Sequence, residues 1–137
     1  MKNKRNLLLS SFIILVVTLI GLGFSACAAQ TVVVDLDLSV EEAYQLYLDD
    51  IYLLDVRTPE EYQEAHLPGA TLIPLDQLSA RYGELPQNEP ILVYCRSGNR
   101  SKQAQTFLLG AGFSDVYNME SGINSWIQAG YEVEVGK

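Results

Sequence analysis

Short apolar runs alternate with amphipathic stretches along the chain, and the alternation predicts the elements in order. An apolar run from Leu7 to about Phe24 follows the basic stretch Met1–Asn6, with small residues around Cys27. Thr31–Asp35, rich in valine, reads as an edge strand. Ser39-Val40-Glu41-Glu42 is a capping box, and Val40, Ala43, Tyr44, Tyr47 and Leu48 form one stripe of the helix it starts, which assigns the tyrosines to the core. Ile51–Arg57 is then a buried strand. Thr58-Pro59-Glu60-Glu61 supplies an N-cap, a first-turn proline and an N3 glutamate, opening a short helix that ends near Ala65. His66–Ala70 turns into a strand at Thr71–Ile73. A helix over Asp76–Tyr82 closes on Gly83, and a loop over Leu85–Pro90 leads to the most apolar strand, Ile91–Tyr94. Beyond a polar loop, Ala104, Phe107, Leu108 and Ala111 recur at helical spacing. Gly110 and Gly112 stop that helix, Asp115–Met119 is the last strand, and Trp126 reads as core in the final helix.

Strands and helices in alternation predict an α/β fold, with an open, mostly parallel five-stranded sheet and helices on both faces. The folded domain spans 35–137, 27–34 is a linker, and 1–26 reads as a signal peptide. Three fates fit that segment. Phe24-Ser25-Ala26-Cys27 resembles the lipobox of bacterial lipoproteins, with Phe24 in place of the usual aliphatic residue and Cys27 as the lipidated one. Ala26-Cys27-Ala28 also fits an A-x-A cleavage site that would release a soluble protein, and the run from Leu7 to Phe24 is long enough to stay as an anchor. All three place the domain outside the cytoplasm, either held at a membrane through its N-terminus or soluble in the periplasm or medium.

Charge narrows the partners. The chain has 9 Lys+Arg against 17 Asp+Glu. Lys2, Lys4 and Arg5 precede residue 27, where no carboxylate lies, so the remaining domain carries six cations against all seventeen acidic residues, a formal charge of −11. Nucleic acid is not an expected partner of so acidic a domain. Arg96, Arg100 and Lys102 nevertheless crowd one loop and Arg57 ends a strand, which points to a small anion drawn to one place.

That loop, Cys95-Arg96-Ser97-Gly98-Asn99-Arg100-Ser101-Lys102, lies between the apolar strand and a helix, where open α/β sheets put their ligands. Gly98 takes positive φ freely and Asn99 tolerates it, so successive N–H groups can turn inward as an anion nest. The nest, the helix end and the arginines all favour a thiolate at Cys95. With Cys27 lipidated, removed or at the membrane, Cys95 has no disulfide partner in its own domain, and a single thiol in an oxidising compartment reads as reactive, with an intermolecular disulfide as the alternative. His66, the one histidine, sits on a turn and reads as a structural hydrogen-bonder. One histidine and one cysteine fall short of a metal-ligand set, and neither metal nor other cofactor is expected.

The loop also resembles the active loop of the rhodanese family of sulfurtransferases. Asp55-Val56-Arg57, the acidic short helix and Ala65-His66-Leu67-Pro68-Gly69-Ala70 are similar to the same family's Asp-Val-Arg strand end and Gly-His-Ile-Pro-Gly-Ala turn, with Ala65 and Leu67 replacing glycine and isoleucine. Ser121-Gly122-Ile123-Asn124-Ser125-Trp126 through Gly130 resembles its Gly-Gly-x-x-x-Trp-x-x-x-Gly ending, with Ser121 for the first glycine. The resemblance covers about Asp35 to Val133, with the motifs in family order. It implies that Cys95 takes a sulfane sulfur from an anionic donor such as thiosulfate, as a persulfide, and passes it to a thiol or cyanide. On this reading the amides from Arg96 through Ser101 hold the sulfur, and Arg100, with Arg96 and Lys102 as further candidates, binds the donor's oxyanion. Arg57 is a secondary candidate, because an ion pair with Asp55 or Glu61 accounts for it as well. The resemblance also gives His66 a fold-supporting position.

Two readings compete. A cysteine and an arginine around an anion nest also suit phosphoryl transfer, but Cys95 and Arg100 are spaced as Cys-x4-Arg, and Cys-based phosphatases need an arginine where Ser101 stands. A non-turnover persulfide-carrying or protein-binding module of the cell envelope is the rival from another class.

Overall fold

The computed structural model describes residues 36–136. The segment expected to be a signal peptide, Cys27 and the strand expected over Thr31–Asp35 lie outside the described residues. The elements are β1 (Asp37–Leu38), α1 (Val40–Leu48), β2 (Tyr52–Asp55), α2 (Pro59–Glu64), β3 (Thr71–Leu72), α3 (Leu75–Arg81) with a 3-10 turn at Tyr82–Glu84, β4 (Ile91–Tyr94), α4 (Asn99–Gly110), β5 (Val116–Met119) and α5 (Gly122–Gln128). Both predicted capping boxes form. Ser39 and Thr58 each accept from the N3 amide, while Glu42 and Glu61 reach back to the cap amides.

The five strands pair in the order β1-β5-β4-β2-β3, all parallel. The expected α/β sheet is therefore present, parallel throughout. All of β4 is buried, because helices cover both faces: Ile91 and Val93 pack with Leu78 of α3 and with Ala104 and Leu108 of α4, while Leu92 and Tyr94 pack with Val40, Ala43, Ile123 and Trp126. Trp126 is a core residue as expected. Its ring meets Tyr44, Tyr47 and Tyr131 edge-on at centroid distances of 5.1–5.5 Å, and its Nε1–H donates to the Glu132 carbonyl at 2.8 Å.

From β2 the chain moves outward to β3, then crosses back to place β4 on the other side of β2. The carboxyl ends of β2 and β4 thus form the point where strand order reverses. Asp55 lies opposite Tyr94 in register there, and Cys95 is the next residue.

Three apolar positions sit differently from the periodicity. Phe107 on α4 and Ala111 just past its end face outward, while the inward stripe of the helix is Ser101, Ala104, Gln105 and Leu108. Gln105 turns that face inward because its amide nitrogen donates to the carbonyls of Leu36 (2.8 Å) and Val116 (2.9 Å), which ties α4 to β5 and to the entry of β1. Leu48, the last residue of α1, is exposed beyond its stripe.

Candidate active site

Cys95 directly follows the central strand and is 1% exposed. Its Sγ accepts from the Gly98 amide at 3.2 Å and lies 3.5 Å from the Ser101 hydroxyl, which also donates to the Gly98 carbonyl at 3.0 Å. A single hydroxyl proton can serve one acceptor at a time, so Ser101 can turn toward sulfur when sulfur is charged. Burial raises the Cys95 pKa, but the Ser101 hydroxyl and the amides of Ser101, Ser97 and Gly98 outweigh it and hold the thiol below its ordinary value. The backbone dipoles of the loop, joined by a turn of the Ser101 hydroxyl, thus favour the thiolate.

Two glycines give the loop its shape. Gly98, with φ 93, is the N-cap of α4, and a Cβ there would lie 1.7 Å from the Glu120 carbonyl oxygen. Gly122, with φ 60, lies against the far side: a Cβ would come within 2.5 Å of the Cys95 oxygen and the Arg96 carbonyl carbon. The same turn holds the loop carbonyls, since Ile123 N–H donates to the Cys95 oxygen at 2.9 Å and Asn124 N–H to the Arg96 oxygen at 3.3 Å. Drawing these carbonyls away leaves the following amides to face the sulfur. Gly122 lies in a motif legible in the sequence, but the motif does not announce this task. The Gly-Gly-type ending was a signal for close backbone approach, but its partner lies more than twenty residues earlier.

The four cations assigned to the site separate into different environments. Arg57 is buried on Asp55, donating from Nε to both carboxylate oxygens (3.0 Å each) and from a terminal nitrogen at 2.6 Å, and it also reaches the Ala65 carbonyl at 2.7 Å. Its guanidinium lies 5.6 Å from the Tyr94 ring centroid. This is the expected ion pair with Asp55, and it braces β2, the α2–β3 turn and β4. Burial pushes the Tyr94 hydroxyl well above the usual tyrosine range, so it stays neutral and accepts from the Leu67 amide at 3.1 Å.

Arg100 makes two charge-assisted bonds to Glu61 at 2.7 Å each. That pair pulls the Glu61 carboxyl down to about 2 against the cost of burial, helped by the Thr58 amide and by the charges of Arg100 and Arg57. The Cys95 thiolate adds to the field that keeps Arg100 charged. Lys102 pairs with Asp37 at 2.5 Å. Arg96 is exposed, and among the described residues its guanidinium has no hydrogen-bond or ion-pair partner. It lines a cleft of about 130 Å³ with Arg57, Glu61, Glu64, Asn124 and Ile127. Ser97 and Asn99 are exposed on the loop rim.

His66 stands apart from this chemistry. Its ring stacks on Tyr62 at 3.7 Å, Nδ1 meets the Tyr62 carbonyl at 2.9 Å, and its backbone exchanges two hydrogen bonds with Glu134. These contacts fasten the C-terminal segment to the α2–β3 turn, the supporting position the sequence implied.

Comparison with known proteins agrees with this geometry. The family model for the rhodanese-like domain matches residues 39–129. A chloroplastic thiosulfate sulfurtransferase of Arabidopsis thaliana is 37% identical over 107 residues, covering 67% of this chain and 87% of its own. The putative sulfur carrier protein YrkF of Bacillus subtilis is 39% identical over 88 residues, 62% of this chain but only 48% of its own length. A rhodanese-related protein of Thermoplasma volcanium superposes with a TM-score of 0.68 at 30% identity, covering 72% of this chain and 97% of its own. With the matched region running from the first capping box through the Trp126 helix and enclosing the Cys95 loop, the chain belongs to the rhodanese-like domain family.

Proposed function

We propose that the protein is a sulfurtransferase that moves a sulfane sulfur from thiosulfate or a similar donor to a thiophilic acceptor through a persulfide on Cys95. The observation that carries this reading is a buried strand-end thiol that receives the Gly98 amide and faces the Ser101 hydroxyl, an arrangement fitted to an anionic sulfur. In the first half-reaction the Cys95 thiolate attacks the outer sulfur of thiosulfate. The new S–S bond forms as the bond to the sulfonate sulfur breaks, and its electron pair leaves with sulfite. In the second, a thiolate or cyanide attacks the terminal sulfur, and the Cys95 thiolate departs with the pair from the persulfide bond. Each step exchanges one bond to sulfur for another, so no external oxidant or reductant enters. The loop amides stabilise the negative sulfur at both stages, and Arg100 and Arg96 are the groups for a donor oxyanion.

A persulfide-carrying module with little turnover on thiosulfate is the second reading, favoured by the engagement of Arg100 with Glu61 and by the sulfur-carrier name of YrkF. The N-terminal segment would hold either activity outside the cytoplasm, at a membrane if Cys27 is lipidated.

Intact mass of the purified domain after thiosulfate treatment tests the reading. One added sulfur, about 32 Da, is expected in the wild type and none in Cys95→Ser, which lacks the nucleophile. An adduct that persists in the mutant sinks the assignment, whereas an adduct that forms but turns over poorly with thiol or cyanide selects the carrier.

A further inference from the structure

We infer that Glu61 is a specificity-determining residue, one that occupies Arg100 and so biases the site against dianionic donors and toward sulfur donors of low charge. This rests on the sulfur-transfer reading above. The site is rich in cations by sequence, yet each except Arg96 is matched: Arg57 by Asp55, Lys102 by Asp37 and Arg100 by Glu61. Arg96 shares its cleft with the Glu61 and Glu64 side chains. A dianion entering beside Arg96 therefore meets two carboxylates. One that takes Arg100 must break two bonds of 2.7 Å and leave the Glu61 charge beside it. A persulfide with a neutral organic tail does neither, because the amides that receive its sulfur are backbone.

Glu61 is also fixed where it stands. It is the N3 residue of the α2 capping box, and the carboxylate oxygen that pairs with Arg100 also accepts from the Thr58 amide at 3.2 Å. Held near 2, its carboxyl remains ionised across the working range of pH. The exposure of the pair, 32% for Arg100 and 22% for Glu61, lets an anion reach it, so its effect is on selection between donors rather than exclusion of one.

Glu61→Gln separates charge from scaffold, because glutamine serves at N3 of a capping box and retains one acceptor for Arg100. The measurement is KM and kcat with thiosulfate and with the persulfide of N-acetylcysteamine, each at low and at 0.5 M salt. The expected result is a thiosulfate KM lowered by about 2- to 5-fold, the size of a charge-assisted pair largely screened by solvent. The ratio of kcat/KM for thiosulfate over persulfide should rise accordingly, and high salt should shrink the change. Thr58→Ala removes the other half of the cap without altering charge, and it should leave the ratio where the wild type has it. An unchanged or raised thiosulfate KM in Glu61→Gln overturns the inference, as does an equal shift of the ratio in Thr58→Ala. Cys95 loading by mass distinguishes the two levels: no persulfide from either donor overturns sulfur transfer and this role together, while loading by both donors with an unmoved ratio overturns the role of Glu61 alone.

Discussion

The two bidentate arginine–carboxylate pairs beside Cys95 are chemically alike and physically opposite. Arg57 and Asp55 lie two residues apart in sequence, with side chains 5% and 0% exposed. Arg100 and Glu61 come from elements 39 residues apart and are 32% and 22% exposed. The inner pair is almost closed to solvent, with only the edge of Arg57 reaching the cleft, and its loss would strand a charge in the core. The outer pair faces solvent and can exchange one anion for another. Burial, and not the identity of the residues, thus divides arginines of one small site into a brace and a binding group.

The strongest way to break this comparison is to remove the inner arginine. Arg57→Ala leaves Asp55 uncompensated and the Ala65 carbonyl without its donor, and it should lower the unfolding free energy by about 3–5 kcal/mol. Urea unfolding followed by tryptophan fluorescence reads this through Trp126, the single tryptophan. A loss under about 1 kcal/mol would mean that the inner pair contributes no more than a surface one.

Removal of the outer arginine should reverse the balance between folding and function. Arg100→Ala is expected to cost only about 0.5–1 kcal/mol of stability, because the pair it breaks is partly exposed. Thiosulfate turnover should nevertheless fall about 10- to 150-fold, since an oxyanion donor loses its charge-assisted contacts and meets an unpaired Glu61 instead. Arg100→Lys should recover part of that activity by restoring charge without the planar fork. Equal losses with thiosulfate and with an organic persulfide would instead make Arg100 a support of the loop.

What could be read from the sequence was whatever acts locally. Ser39 with Glu42 and Thr58 with Glu61 announce their caps within four residues, and the run Ile91–Tyr94 followed by Gly98 and polar residues announces strand, loop and helix. Asp55 and Arg57 are close enough in sequence that their pairing was an open expectation. The pairing of Arg100 with Glu61 depends on the first turns of α2 and α4 meeting, and nothing within either segment signals it. The contact of Gly122 with the Cys95 and Arg96 carbonyls is hidden in the same way, as is the outward turn of Phe107, which depends on Gln105 finding two carbonyls of other segments. The clustering of positive charge was legible, but its neutralisation was not, because the matching carboxylates come from distant positions.

The smallest expected effect is the pH dependence of the outer pair, which sharpens the comparison by testing whether it persists in solution. The Glu61 carboxyl is held at about 2 in the folded domain against 4.5 for the free group. A carboxyl with a lowered folded value binds fewer protons folded than unfolded in the interval between the two. Its contribution is therefore complete above about pH 4.5 and is lost as pH falls toward about 2. Comparing wild type with Glu61→Gln isolates this term, because other carboxyls held low by partners, such as Asp37 and Glu84, titrate in both proteins and cancel. The wild type should be the more stable by less than about 1 kcal/mol near pH 6, given the exposure of the pair, and the gap should close as pH drops toward about 2 or as salt is raised. A gap that stays constant with pH would show that the variant acts through the cap or through packing. A gap that widens in acid would mean that the Glu61 carboxyl is stabilised protonated, and Arg100 would then be free for an anion from the start.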